Sequence, residues 1–458
     1  MRSIWAVAVN TIKQAVRMKI AAVFIILLLV LLPVMGLTMT GDGTLKGRAQ
    51  TFVSYGLSLS SFLLCLLTIA VASYSVTSDF EHKQIYTVLT KPIRRFQLLL
   101  GKLLGVILLS SALLVLFSAV IYTITIYMPR LSGAGEGELL QARNEFYTAR
   151  ASLIPAEVDV TAEVEQVYKK RLKTGQLPPE VLTSKNARSN YKAAVAERLK
   201  LSKRAAAPSR ELVWEFDNVR PLDPNQNLFV RFKYDVSVNP PDLQIYSKWL
   251  IGDVRQLRYG MVETPVYDFS RKDLIRTFHE IEVPADAVAE DGYLAVVFFN
   301  VPLNNTTVIF PPKDGLEVLY KADVFGANYI RAVLLILLRL VFLAALGILA
   351  ASFLSFPVAL LLCLAVFFTA NISGFILESF DYLSENVSGV YSYTLRPIIH
   401  LLPQFDKISP TKFLVPARLL SWSLLAEAAA LMICVKALIL LLAALLIFRY
   451  REIAKTII

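Results

Sequence analysis

The sequence predicts a mainly α protein: a polytopic six-helix membrane domain with an inserted extracytoplasmic α+β domain, a helical stalk followed by a β-sandwich or jelly roll. Three observations lead there. Apolar runs long enough to cross hydrocarbon recur towards both ends of the 458-residue chain. The middle has the texture of a water-exposed domain, first with helical and then with alternating periodicity. The charge is also divided. Residues 130–323 hold 26 Lys and Arg against 27 Asp and Glu, so by subtraction from totals of 47 and 36 the rest holds 21 against 9. The net charge of +11 therefore belongs to the membrane part, where it reports topology and argues against a nucleic-acid surface.

Residues 1–19 place Trp5, Ala8, Val9, Ile12 and Val16 at helical spacing and Asn10, Lys13, Gln14 and Arg17 on the other face. This pattern predicts an amphipathic helix lying in the membrane interface. A secretory signal peptide is set aside, because no small-x-small cleavage pattern follows Leu37 and further spans come after it. The expected spans are Ile20–Met39, Phe52–Val76, Leu98–Met128, Tyr329–Phe353, Val358–Leu377 and Ala426–Phe448. Six crossings put both termini on one side. The N-terminal helix, the stretch after the second span and the C-terminal tail are rich in Lys and Arg, which makes that side cytoplasmic. Cys65, Cys363 and Cys434 all fall in expected spans, so no disulfide framework is available to the polar domain.

Between the second and third spans lies Asp79–Gly105, DFEHKQIYTVLTKPIRRFQLLLGKLLG. Ile85, Val88 and Leu89 form an apolar face, and Pro92 disfavours helix at Lys91. A short amphipathic helix held at the membrane surface by its two flanking spans is expected over residues 79–97. The run E-x-K-x-I-Y-T-x-L-T-K-P-I-x-R, followed by L-L-G-K, resembles the first cytoplasmic loop of ABC transporter permeases of the ABC-2, export-type class. In that family the loop carries a coupling helix that docks on a separate ATPase subunit. Glu81 matches the family's acidic residue, Pro92 its proline, Arg95 its arginine and Gly101–Lys102 its Gly-Lys, whereas Gln84 replaces the Gly or Thr of many relatives. The resemblance implies an ATPase-coupling set of Asp79, Glu81, Lys83, Ile85, Tyr86, Leu89, Pro92, Arg95, Gly101 and Lys102. It also implies a location in the bacterial cytoplasmic (inner) membrane, with ATP and Mg²⁺ bound by the partner and no cofactor on this chain.

The extracytoplasmic insertion, 129–327, opens with Pro129 and a glycine-rich linker, Ser132–Gly137. Residues 130–209 read as two or three exposed helices, and residues 210–325 as strands. In Leu228–Val238, the residues Leu228, Val230, Phe232, Tyr234, Val236 and Val238 face one way. Glu211–Val219, Leu243–Ile251, Thr277–Val283, Tyr293–Val301, Thr306–Phe310 and Leu316–Tyr320 read similarly, a sandwich pattern. Two roles stay open for it, binding a substrate or envelope partner, or packing on its twin across a dimer. In 328–458, the segment 378–425 is broken by Pro403, Pro410 and Pro416. It reads either as helices dipping back into the outer leaflet and gating a path, or as an interfacial loop.

Arg339 and Lys436 lie near the middle of expected spans. Intramembrane cations face a bundle interior or a wet cavity, so these two, with Glu378 or Asp381 as resting partners, could line a translocation path. Snorkelling or structural pairing is the competing reading. The chain has no G-x-x-x-x-G-K-[ST], and His82, His279 and His400 are scattered, so neither ATP hydrolysis nor metal chemistry is expected of it. Two functions remain: an export permease, working as a homodimer or with a paralogue, and a non-transporting membrane machine or anchor that transmits ATPase work to its outer domain.

Overall fold

A computed structural model of the chain describes residues 2–81, 94–183, 185–223, 226–260, 263–312, 314–380, 394, 396, 397, 399 and 401–450. It divides into two units, Met1–Ala149 with Val324–Ile458, and Arg150–Asp323. The first unit begins with α1 (Arg2–Val16), α2 (Lys19–Thr38), α3 (Leu45–Glu81), α4 (Arg95–Leu131) and α5 (Glu136–Glu145). The face of α1 turned to the protein is the small one. Ala8, Thr11 and Ala15 are buried, whereas Trp5 and Val16 are 59% and 61% exposed. Trp5 and Val16 are thus left for lipid, as an interfacial helix requires.

The second unit contains β1 (Thr148–Leu153), α6 (Thr161–Lys173), α7 (Pro179–Thr183), α8 (Lys185–Lys203), β2 (Ala205–Ala206), β3 (Glu211–Phe216), β4 (Leu228–Phe232) and β5 (Asp235–Val236). There follow β6 (Gln244–Gly252), α9 (Arg255–Tyr259), β7 (Tyr267–Leu274), β8 (His279–Val283), β9 (Leu294–Asn300), β10 (Val308–Ile309) and β11 (Leu316–Val324). Two four-stranded sheets, in the orders β1-β11-β4-β8 and β3-β9-β6-β7, share one core, and β2-β10-β5 makes a short third sheet. The pairing is antiparallel, with Val230 opposite Val318 and Ile281, and Trp249 opposite Phe298. Rings fill the centre. Phe232 lies 4.4 Å from Trp249, and Phe298 meets Trp249 and Phe310 edge-on at 5.0 and 4.9 Å. The Trp249 indole N–H donates to Ser247 Oγ at 3.0 Å, so this large buried ring leaves no polar group unpaired.

The sequence reading needs three corrections here. Residues 148–153, expected in the helical portion, form β1. The strand over 228–238 is interrupted after Phe232, and Val238 is 68% exposed. Strand β7 was missed, because the inward positions after Tyr267 and Phe269 are Arg271 and Asp273. These two close a bidentate ion pair, with Arg271 Nη2 and Nε 2.7 and 2.9 Å from Asp273, and so a charged pair occupies a face that hydropathy alone reads as outside.

The chain re-enters the first unit in α10 (Phe325–Phe353) and α11 (Phe356–Phe380), followed after an irregular segment by α12 (Thr411–Leu414), α13 (Trp422–Ala429) and α14 (Leu438–Tyr450). A π-helical stretch, Ala430–Ala437, joins the last two into one rod. Among the described residues five helices are long and apolar enough to cross a membrane: Leu45–Phe80, Arg95–Leu131, Phe325–Phe353, Phe356–Leu377 and Trp422–Tyr450. The first expected span, Ile20–Met39, coincides with α2, whose described apolar stretch, Ala22–Thr38, is shorter. The best-buried helices are α3 and α10. They approach closely because Gly347 has no side chain: a Cβ there would sit 2.7 Å from Ala72 Cβ.

Truncating Phe298 to Ala removes the ring shared by Trp249, Phe310 and Tyr234 and leaves a cavity, at a cost of about 3–5 kcal/mol. Limited proteolysis of the full chain checks this, with residues 150–323 cleaved far faster in the variant.

Candidate functional site

The base of the expected coupling loop is built from four contacts. At its entry, Asp79 in the last turn of α3 meets Lys102 on α4, 2.7 Å away. The Lys102 ammonium also donates to the Ser75 carbonyl. Both side chains are close to fully buried. A buried charge needs a partner and saturated donors, and this arrangement supplies both. At the exit, Arg95 in the first turn of α4 donates through Nη1 to the carbonyls of Phe448 and Arg449, at 3.1 and 2.9 Å. These are orphan carbonyls at the end of α14, where a cation also complements the helix dipole. Phe80 packs edge-on against Phe448 at 5.9 Å. Both flanks of the loop are therefore tied to neighbouring helices.

The third tie is α1. A Cβ on Gly101 would lie 2.6 Å from Val7 Cβ and 2.8 Å from the Ile4 carbonyl, and one on Gly105 would lie 2.7 Å from the Ala8 carbonyl. This Gly-x-x-x-Gly groove on α4 admits the backbone of α1. Gln14 of α1 donates to Ser78 Oγ at 3.2 Å, closing the ring back to α3. The Gly-Lys pair thus has two jobs here: Gly101 seats the interfacial helix, and Lys102 locks the end of α3. Of the expected coupling set, Asp79, Arg95, Gly101 and Lys102 form this frame. Lys83, Ile85, Tyr86, Leu89 and Pro92, together with the side chain of Glu81, lie outside the described residues.

A second constellation lies deeper. Pro403, Pro410 and Pro416 break residues 401–420, which leaves carbonyls that no helix can use. Side chains from the bundle take them up. Arg339 of α10 donates through Nη2 to the carbonyls of Phe405 and Ile408, at 2.6 and 3.1 Å. Lys436, on the π-helical stretch, donates to the Leu402 carbonyl at 2.8 Å. Gln50 of α3 reaches Val415 O at 2.7 Å, and Asn328 of α10 bonds both Arg418 O and the Leu420 N–H at 2.8 Å. The two cations singled out from the sequence therefore brace the broken segment. Of their expected partners, Asp381 and the Glu378 side chain lie outside the described residues. Gln50 and Asn328 were not singled out, although the amide of Asn328 at the head of an apolar run was a visible signal.

Arg339 also lines a cavity of about 350 Å³ between α3, α10, α11 and the broken segment. Lys436 lines another of similar size with Lys407, Gln404 and Glu427. Among the described residues no cluster of three or more His, Cys, Asp or Glu could hold a metal ion.

This fold defines the class: an integral membrane protein, mostly helical, with a β-rich unit inserted in the chain. Residues 14–149, from the end of α1 through the loop and α4, match the family model described as ABC-2 family transporter protein, and the resemblance to ABC-2 type permeases is borne out. No curated protein and no solved structure matches the chain.

Replacing Lys102 by Met strands Asp79 and the Ser75 carbonyl in an apolar site, at a cost of about 3–5 kcal/mol. The double change Asp79→Leu with Lys102→Met recovers most of it. Thermal melting of the detergent-purified chain compares the three proteins.

Proposed function

We propose that the chain is the membrane-spanning permease subunit of an ATP-driven exporter, moved by a separate ATPase subunit that docks on the loop at 79–97. The observation that carries this reading is the braced base of that loop within the stretch matching the ABC-2 family. Force applied to a surface helix does work only if its ends are fixed to elements that must move. Here one end is bonded to α4 through Asp79 and Lys102, and the other to the end of α14 through Arg95. A push on the loop is therefore delivered to α3, α4 and α14 together. The Gly101–Gly105 groove couples α1 to the same motion.

In this reading α2 counts as the first of six spans, both termini and the loop face the cytoplasm across a bacterial inner membrane, and residues 150–323 lie outside. The bonds from Arg95 to the Phe448 and Arg449 carbonyls support part of this, because they join the start of α4 to the end of the last helix. The working unit is a homodimer or a pair with a paralogue. ATP and Mg²⁺ are bound by the partner. A second reading, a mechanical anchor that moves its outer domain and transports nothing, draws on the separate core of the inserted unit, a size and autonomy that a simple loop does not need.

Glu81→Ala and Pro92→Ala should each lower permease-stimulated ATP hydrolysis by the co-purified ATPase by roughly tenfold while the complex still assembles. Unchanged hydrolysis in both variants, or reaction of a Glu81→Cys thiol with an impermeant reagent from the outer side, defeats the coupling reading.

A further inference from the structure

The cavity beside Arg339 has a composition that neither packing nor loop bracing explains. Its walls include Phe62, Phe367, Ser61, Cys65 and Asn371. Arg339 itself is only 7% exposed, and its guanidinium is half used. Nη2 makes both carbonyl bonds, whereas Nε is buried without a partner. Among the described residues Arg339 forms no ion pair; Asp406 acts on it through space but takes none of its N–H groups. A buried guanidinium with unspent donors and neutral hydrogen-bond acceptors is under-compensated, and an anionic oxygen is the partner that completes it. The surrounding polar groups are small: hydroxyls, an amide and a thiol. The rest of the wall is apolar and mostly aromatic. At the mouth, Phe62 and Phe368 are 40% and 51% exposed, so apolar surface continues outwards from the polar floor.

We infer that this cavity is a binding site for the oxyanion head of an amphiphile, with Arg339 as its cationic anchor and the rings of Phe62, Phe367 and Phe368 against its apolar part. A lipid whose phosphate-bearing head keeps a net negative charge has this chemistry. A free phosphate shares the head but not the tail, and the apolar wall favours the lipid. Phe405 fixes the anchor, because its carbonyl holds Nη2 and its ring lies 5.2 Å from the guanidinium carbon. Occupancy would thereby reach the proline-broken segment through the same side chain that braces it. Naming the occupant a cargo rests on the export reading; its binding does not.

The test uses the full chain, delipidated and placed in detergent, titrated in native mass spectrometry with phosphatidylglycerol, phosphatidylcholine and inorganic phosphate. Phosphatidylglycerol should bind about tenfold or more tighter than phosphatidylcholine, whose zwitterionic head carries no net charge, and Arg339→Gln should erase the difference. Because Arg339 also braces residues 405–408, a second variant keeps the test decisive. Ser58→Trp places a ring at the mouth without touching the guanidinium and should block phosphatidylglycerol with the melting temperature unchanged. Equal binding of both lipids, or full binding by Ser58→Trp, overturns the site. Inorganic phosphate binding as tightly as the lipid overturns the amphiphile assignment. Selective binding without any ATP-driven movement of lipid removes the occupant as cargo and leaves the site standing. Coupled ATP hydrolysis without lipid selectivity overturns the site and leaves the export reading standing.

Discussion

The backbone of residues 401–420 sets the terms for the rest of the membrane unit. A carbonyl that a helix has abandoned among packed helices needs another donor, and three prolines ensure that this segment abandons several. The chain answers with donors from neighbouring helices: Arg339 and Asn328 on α10, Gln50 on α3 and Lys436 on the last rod. Each charged donor to a neutral carbonyl is worth about 1.5–3 kcal/mol, and leaving either side unmade costs as much again. The cations are affordable in the membrane only because the carbonyls are there, and the broken segment is tolerable only because the cations are there. The π-helical stretch at Ala430–Ala437 falls where Lys436 must be aimed at Leu402, which gives that distortion of the last span a local use.

At the other set of helix ends the same economy of polar groups builds a frame rather than a pore. Asp79, Lys102 and the Ser75 carbonyl satisfy one another in a site with almost no water access. Arg95 caps the final helix, and two glycines one turn apart let α1 lie against α4. None of these residues needs to touch a partner protein to matter. They fix the last turn of α3 and the first turn of α4 to the helices around them.

The inserted unit follows different physics. Its core is a conventional aromatic one, closed by two antiparallel sheets around Trp249, Phe298, Phe232 and Phe310. It draws its stability from the removal of rings from water, whereas the membrane unit relies on close helix approach and saturated polar groups. At its surface Arg255 is forked between Asp253 and Asp291 at 2.9 and 2.8 Å and lies over the ring of Tyr293. Those hydrogen bonds hold both carboxyls below the usual carboxylate range. Acidification below that range therefore loosens the clasp.

Much of this was legible in the residues alone. Apolar length placed the membrane helices, alternation placed β3, β4, β6, β8, β9, β10 and β11, and the ordered run from Glu81 to Lys102 pointed to the family that residues 14–149 match. Strand β7 escaped because an ion pair, Arg271 with Asp273, stands where the period calls for apolar side chains, and β1 because six residues between helical stretches carry too little pattern. The sequence by itself determined which segments are long and apolar enough to cross a membrane and where the charge collects, because those follow from transfer energies of single side chains. Only the tertiary structure decided that Arg339 and Lys436 hold backbone carbonyls, that the small face of α1 meets Gly101 and Gly105, and that Asp79 finds Lys102. Those partners lie on different helices, and a hydrogen bond is settled by distances in space that no local spacing encodes.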